Sequence, residues 1–178
     1  MEPLPATRYH PDPLETGSVE PDDVTCIVCD RARGYVYVGP VYADEEYVDE
    51  ICPWCIADGS AATALGATFT DVDPAPADVP GGVVREVAER TPGFAGWQQE
   101  QWQFHCRDAA AYLGTAGIEE LAARDGALEM LLHEHDRFGW TAEQSQTFVE
   151  SLRRAGNPTA HLFRCLHCGL HLAHSDRS

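Results

Sequence analysis

Cys26-Ile-Val-Cys29 and Cys52-Pro-Trp-Cys55 are the two stretches on which the fold of this chain turns. Two residues between thiols let one tight turn aim both sulfurs at one ion. Two such turns complete a tetrahedron, with zinc–sulfur distances of about 2.3 Å. With cysteine at all four positions no place is left for a water, so the set is expected to hold a structural Zn2+. The strand-forming run Tyr35-Val-Tyr-Val38 lies between the pairs, ends at Pro40 and suits the connecting hairpin of a zinc ribbon. Residues 1–60 offer little else for a core, so metal is expected to contribute folding energy there. A competing reading takes Cys52-Pro-Trp-Cys55 as a thioredoxin-type pair, and therefore as a thiol redox sensor. That motif calls for a βαβ unit before it, whereas here another C-x-x-C precedes it.

A third knuckle, Cys165-Leu-His-Cys168-Gly169, has no C-x-x-C partner. Cys106 is the one cysteine left, which points to a second zinc held by Cys106, Cys165, Cys168 and one histidine. His105 is the first choice for that histidine, ahead of His171, His167 and His10. Neighbouring side chains in a strand point to opposite faces, so His105 and Cys106 can both ligate only if the backbone bends between them. If water were the fourth ligand, the site would be open and hydrolytic, with Glu100, Glu134 or Asp108 as possible bases. The bland alternative leaves Cys106 as a small buried hydrophobe.

Outward from the cysteines, the chain reads as α+β: a zinc-ribbon-like N-terminal part with C-x-x-C knuckles, short helices, and a C-terminal β-hairpin carrying the third knuckle. One compact domain is expected over 1–178, with a ribbon-like subdomain at 1–70, a Pro-rich connector at 71–82 (Pro74, Pro76, Pro80), and a helical region plus knuckle hairpin at 83–178. Residues 1–25 read as extended chain lying on the surface. Helices are expected at 53–65 and 83–90. Gln101 to Cys106 alternates polar and aromatic residues and suits a half-buried strand, with a helix over 97–112 as the competitor. Ile118, Leu121, Leu128 and Leu131 form a helical face weakened by Gly126. Thr141 and Gln144 make a capping box that starts another helix, stopped by Gly156-Asn157-Pro158.

The 178 residues carry 29 acidic and 12 basic side chains, a net charge of −17. Zinc on four thiolates adds a further −2. Such a charge repels phosphate backbones, so nucleic acid is an unfavourable partner and a basic protein a favourable one. No apolar run spans a bilayer, and the first ten residues lack a secretory pattern; a cytoplasmic protein is expected. Seven cysteines, six in tight pairs, fit metal better than a disulfide framework. His133-Glu134-His135-Asp136 has its histidines two apart, not four, and reads as a solvated helix end. Asp44, Glu45, Glu46, Asp49 and Glu50 read as a solvated acidic face or a contact for a basic partner. Trp97, Trp102 and Trp140 are expected in the core or at its edge. No phosphate-binding loop, nucleophile elbow or Ser/His/Asp set is present in the sequence.

Arg8-Tyr-His-Pro-Asp-Pro-Leu14, Thr16-Gly-Ser18, Arg33-Gly-Tyr35, Gly39-Pro-Val-Tyr42 and Cys52-Pro-Trp-Cys-Ile-Ala-Asp-Gly-Ser60 together resemble the CbrC family of bacterial proteins. The match continues through Arg90-Thr-Pro-Gly-Phe94, Trp97-Gln-Gln-Glu100, His105-Cys106 and Phe163-Arg-Cys-Leu-His-Cys-Gly169. The resemblance implies a stand-alone, cytosolic, metal-binding domain, and it associates the chain with colicin tolerance. The resulting expectation is a non-enzymatic zinc protein that binds a basic partner. A zinc hydrolase and a thiol redox sensor are the alternatives.

Overall fold

A computed structural model describes residues 2–73 and 75–178. Pro74, one of the connector prolines, lies outside the described residues. The architecture is mixed α and β. In the N-terminal third, β1 (Val19–Glu20) pairs antiparallel with β2 (Val36–Tyr37), followed by α1 (Pro53–Ala57) and α2 (Ser60–Leu65). Cys52 is the N-cap of α1 and Pro53 opens it. Proline suits that first position because its missing N–H would be unpaired there in any case. The second cysteine pair therefore rides on a helix start, not on a second hairpin. Gly59, at φ 81°, separates the two short helices.

Helix α3 (Gly81–Arg90) follows, stopped as expected by Thr91-Pro92-Gly93. Gly93 is where the N-terminal third docks on the rest. A Cβ there would lie 1.8 Å from the Phe69 carbonyl oxygen, and the Gly93 N–H donates to Tyr37 Oη at 3.1 Å. The hairpin β3 (Phe104–His105) with β4 (Asp108–Ala109) leads into β5 (Ala111–Ala116). Helices α4 (Ile118–Ala122), α5 (Ala127–Arg137) and α6 (Ala142–Ser151) come next. Strands β6 (Thr159–Arg164) and β7 (His171–Asp176) complete an antiparallel sheet of order β5-β6-β7. The capping box of Thr141 and Gln144 forms as read, though α6 ends at Ser151, before the expected stop.

Three apolar clusters hold these elements. The first surrounds the paired cysteines with Tyr37, Ile51, Trp54, Ile56 and Phe69, so the N-terminal third has more core than its composition suggests. The second joins Tyr9, Val87, Phe94, Trp102, Tyr112 and Phe163, and the third packs Leu121, Leu131, Val149 and Leu152 against Leu162 and Ala173.

Several expectations are corrected. Residues 1–25 are not wholly superficial: Tyr9 and His10 are both 0% exposed, and the Tyr9 carbonyl accepts the Tyr112 N–H at 2.8 Å. The strand expected at 101–106 shrinks to Phe104–His105 and pairs with β4, not with the C-terminal hairpin. No helix forms across 97–112. Trp97 is exposed, while Trp102 is buried. His135 is buried against Trp140 and lies 2.6 Å from Ser145 Oγ, so it is not part of a solvated helix end.

Candidate metal centres

The first centre joins Cys26 and Cys29 on a knuckle with Cys52 and Cys55 at the start of α1. Cys26 N donates to the Arg31 carbonyl at 3.1 Å, and Asp30 N donates back to the Cys26 carbonyl at 2.9 Å. Asp30 takes the left-handed conformation, φ 54°, that closes so tight a turn. Sγ separations are 3.8 Å for Cys26–Cys55, 3.8 Å for Cys29–Cys52 and 3.5 Å for Cys52–Cys55. A tetrahedron with zinc–sulfur bonds of about 2.3 Å has edges of about 3.8 Å. A disulfide would need about 2.05 Å. The thiols therefore fit a divalent ion and are all free.

The second centre joins His105, Cys106, Cys165 and Cys168, whose ligand atoms all lie within 4.8 Å of one another. The knuckle at Cys165 repeats the first one bond for bond. Cys165 N donates to the Leu170 carbonyl at 2.8 Å, Gly169 N donates to the Cys165 carbonyl at 3.1 Å, and Gly169 has φ 80°. The other two ligands come from the β3–β4 turn. Cys106 and Arg107 both have positive φ, 53° and 61°, and that bend turns two adjacent side chains towards one point. His105 Nδ1 lies 3.3 Å from Cys106 Sγ and 3.4 Å from Cys168 Sγ. A mixed sulfur–nitrogen tetrahedral edge is about 3.6 Å. Of the histidine candidates, His105 is in place. His10 is buried elsewhere, between the Pro92 carbonyl and Thr16 Oγ1, and His167 points to Asp108. His171 lies outside the cluster.

Electrostatics are uneven within each centre. Burial opposes the Cys26 thiolate, but the N–H groups of Cys52, Cys29 and Val28 donate to it and bring its pKa down to about 7. Burial pushes Cys52 up to about 11 and also raises Cys55. In the second centre Cys165 falls to about 6: desolvation opposes its charge, but the Cys168 N–H, His105 and the His167 N–H outweigh it. The leading cysteine of each knuckle, Cys26 and Cys165, is thus biased towards the thiolate. An incoming cation would have to displace protons from raised thiols such as Cys52, Cys55 and Cys106, so occupancy depends on pH.

Of the acids named as possible bases, Asp108 and Glu100 are taken up by hydrogen bonds. Asp108 is buried and accepts from Arg8 Nη2 at 2.6 Å, Tyr9 Oη at 2.7 Å and the Ala109 N–H at 2.9 Å, with His167 Nε2 at 2.8 Å. Burial disfavours its charge, but these partners hold its pKa below the usual carboxylate value. Sequence reading saw Asp108 only as a base. Here it ties the knuckle to the N-terminal segment, and no local signal marks that role. Glu100 is buried against Tyr42 Oη and the Asp71 N–H, and Glu134 belongs to α5. The pair His161–Asp176, at 3.0 Å with Tyr112 Oη on the other ring nitrogen, is a fully bonded core element that the sequence did not announce.

A family model described as "Uncharacterised protein family (UPF0167)" matches residues 4–177. A UPF0167 protein of Mycobacterium bovis is 54% identical over 174 residues, covering 97% of this chain and 93% of its own length. One from Mycobacterium tuberculosis matches to the same extent. A UPF0167 protein of Pseudomonas aeruginosa is 48% identical over 176 residues, covering 98% and 96%. No solved structure matches the chain.

Proposed function

The chain belongs to the uncharacterised UPF0167 family, and from that premise we propose that it is a two-zinc bacterial protein that recognises a basic protein partner and catalyses nothing. The observation that carries this reading is the completeness of both ligand sets. Four cysteines at one centre, and three cysteines with His105 at the other, leave no coordination place for a reacting water. Zinc suits such thiolate-rich tetrahedra, and the free state of all seven cysteines suits a reducing, cytoplasmic setting. Among the described residues no helix is long and apolar enough to cross a membrane.

Support for the partner comes from the surface beside the first centre. Asp44, Glu45, Glu46, Asp49 and Glu50 are all exposed there. Two large apolar side chains stand among them, Ile27 at the knuckle tip with 51% exposure and Val48 with 60%. The Ile27 N–H donates to the Glu50 carbonyl at 2.9 Å, which joins knuckle and acidic loop into one face. Apolar anchors within an acidic surround suit a basic protein surface. The CbrC resemblance adds a specific form, tolerance to a basic bacteriocin by direct capture. The test is partner binding by the zinc-loaded chain at low and physiological salt, repeated with Glu45→Lys/Glu46→Lys. Weakening by salt and by charge reversal is expected, and binding indifferent to both would contradict the reading.

A further inference from the structure

Another constellation lies apart from every cysteine, in a cavity of about 370 Å3 between α5, α6, the end of β7 and the loop at 98–101. Its wall is aromatic. The rings of His135 and Trp140 stack at 4.3 Å and 16°, and Phe148 meets them edge-on at 5.1 and 5.3 Å. Phe138 also lines the cavity and is 73% exposed. The Arg177 guanidinium covers Trp140 and Phe148 at 5.4 and 5.6 Å.

Three polar groups in this wall lack a partner among the described residues. Glu134 has no ion pair or hydrogen bond, and burial raises its pKa despite the opposing charge of Arg137 on the same helix. Arg177 has no carboxylate within ion-pair distance. His135 is 3% exposed, and its Nε2 is buried without a hydrogen bond. An unpaired half-buried carboxylate is costly, and two opposite charges in one cavity that do not reach each other leave both sites open. A simple cation would be repelled by Arg177 and a simple anion by Glu134.

We infer that this cavity binds a small zwitterion of the α-amino-acid class with an apolar side chain. Arg177 takes the ligand carboxylate, Glu134 its ammonium group, and Phe138 with Trp140 the side chain. Such a ligand matches both charges, adds no net charge to an already acidic chain, and covers an exposed aromatic ring. The site uses no metal ligand, so it stands or falls separately from the zinc reading.

The experiment is calorimetric titration of the zinc-loaded full chain with L-phenylalanine, L-leucine, L-methionine and L-tryptophan. Phenethylamine and 3-phenylpropionate serve as half-ligands. At least one amino acid should bind saturably, and the matching half-ligands should bind about tenfold or more weakly. Glu134→Gln should weaken the amino acid by about tenfold without weakening 3-phenylpropionate, and Arg177→Ala should weaken the amino acid by about tenfold without weakening phenethylamine, since each change also removes a repulsion from that half-ligand. Near-UV circular dichroism of each variant establishes that it is folded. No saturable binding up to about 10 mM, half-ligands as tight as the amino acid, or folded variants that bind like the parent would each overturn the assignment.

Discussion

The two candidate metal centres use the same knuckle and differ in almost everything around it. At the first centre Cys26, Cys52 and Cys55 are 1–2% exposed and sit inside an apolar cluster with Ile51, Trp54 and Ile56. One half of that centre is a hairpin turn and the other a helix start. At the second, Cys165 is buried while Cys106 and Cys168 are exposed, and all four ligands come from hairpin turns or the residue beside one. The first site is therefore a core element that includes a metal position. The second is a clasp on the surface, closing the β3–β4 turn onto the β6–β7 turn. Two closely similar ligand sets, four cysteines against three with His105, should thus carry very different shares of folding energy and very different exchange rates.

Removing one ligand from each centre gives the largest contrast. Cys52→Ser should abolish cooperative folding of the N-terminal third, because structural zinc contributes on the order of 10 kcal/mol in small domains and the buried thiols would lose their counter-ion. Cys106→Ser should lose one zinc and keep the fold, as read by near-UV circular dichroism and denaturant unfolding. Equal damage from both would break the distinction.

Exchange comes next. With a chelator present, zinc should leave in two phases. Timed alkylation followed by mass spectrometry should label Cys106 and Cys168 first and Cys26, Cys52 and Cys55 last, because reactivity follows access to the thiolate. A single phase would mean that exposure does not govern release.

Acid should act on a third region as well. His10 has its pKa lowered to about 4 by burial, and His174 to about 3 by burial and the nearby His161. Both are below the ordinary value of 6.5. As pH falls from about 6.5 the unfolded chain takes up protons that the folded chain refuses, so stability drops until the folded rings titrate near pH 3 to 4. Neither histidine belongs to a ligand set. The decline should therefore persist in Cys106→Ser, and His10→Gln should flatten part of it.

The smallest effect concerns the strained turn. Arg107 holds φ 61° without being glycine, and its side chain makes an exposed contact with Asp78. Arg107→Gly should relieve about 1 kcal/mol of backbone strain, partly offset by the lost hydrogen bond to the Asp78 carbonyl and by greater unfolded-state freedom. Unfolding free energies of the two metal-loaded proteins from denaturant titration should differ by less than that, in favour of glycine.

Much of this architecture was legible in the sequence wherever chemistry repeats at fixed spacing. Each C-x-x-C announced a tight turn with two converging thiols, Thr141 and Gln144 announced a helix start, and the cluster Cys106, Cys165 and Cys168 followed by elimination. The bend that admits His105 was not legible, because Cys106-Arg107 lacks the Asn-Gly or Gly-Gly signal that positive φ values usually carry. Trp97 was misplaced for a related reason. Its backbone N–H donates to buried Asp176 at 2.7 Å, so the main chain is anchored inward while the ring faces out. Sequence pattern reads side chains and is blind to such main-chain anchors. Tyr9 and His135 were misread because what buries them, Asp108 and Tyr112 for one, Trp140 and Ser145 for the other, comes from separate elements.

Each sulfur cluster is proposed to surround its own divalent ion. Native mass spectrometry of the chain purified without added metal, alongside Cys106→Ser, tests it most directly. The expected masses correspond to two zinc ions for the parent and one for the variant, with every thiol reduced. A parent carrying one ion or none, or a mass showing Cys26, Cys29, Cys52 and Cys55 joined as disulfides, would contradict the account.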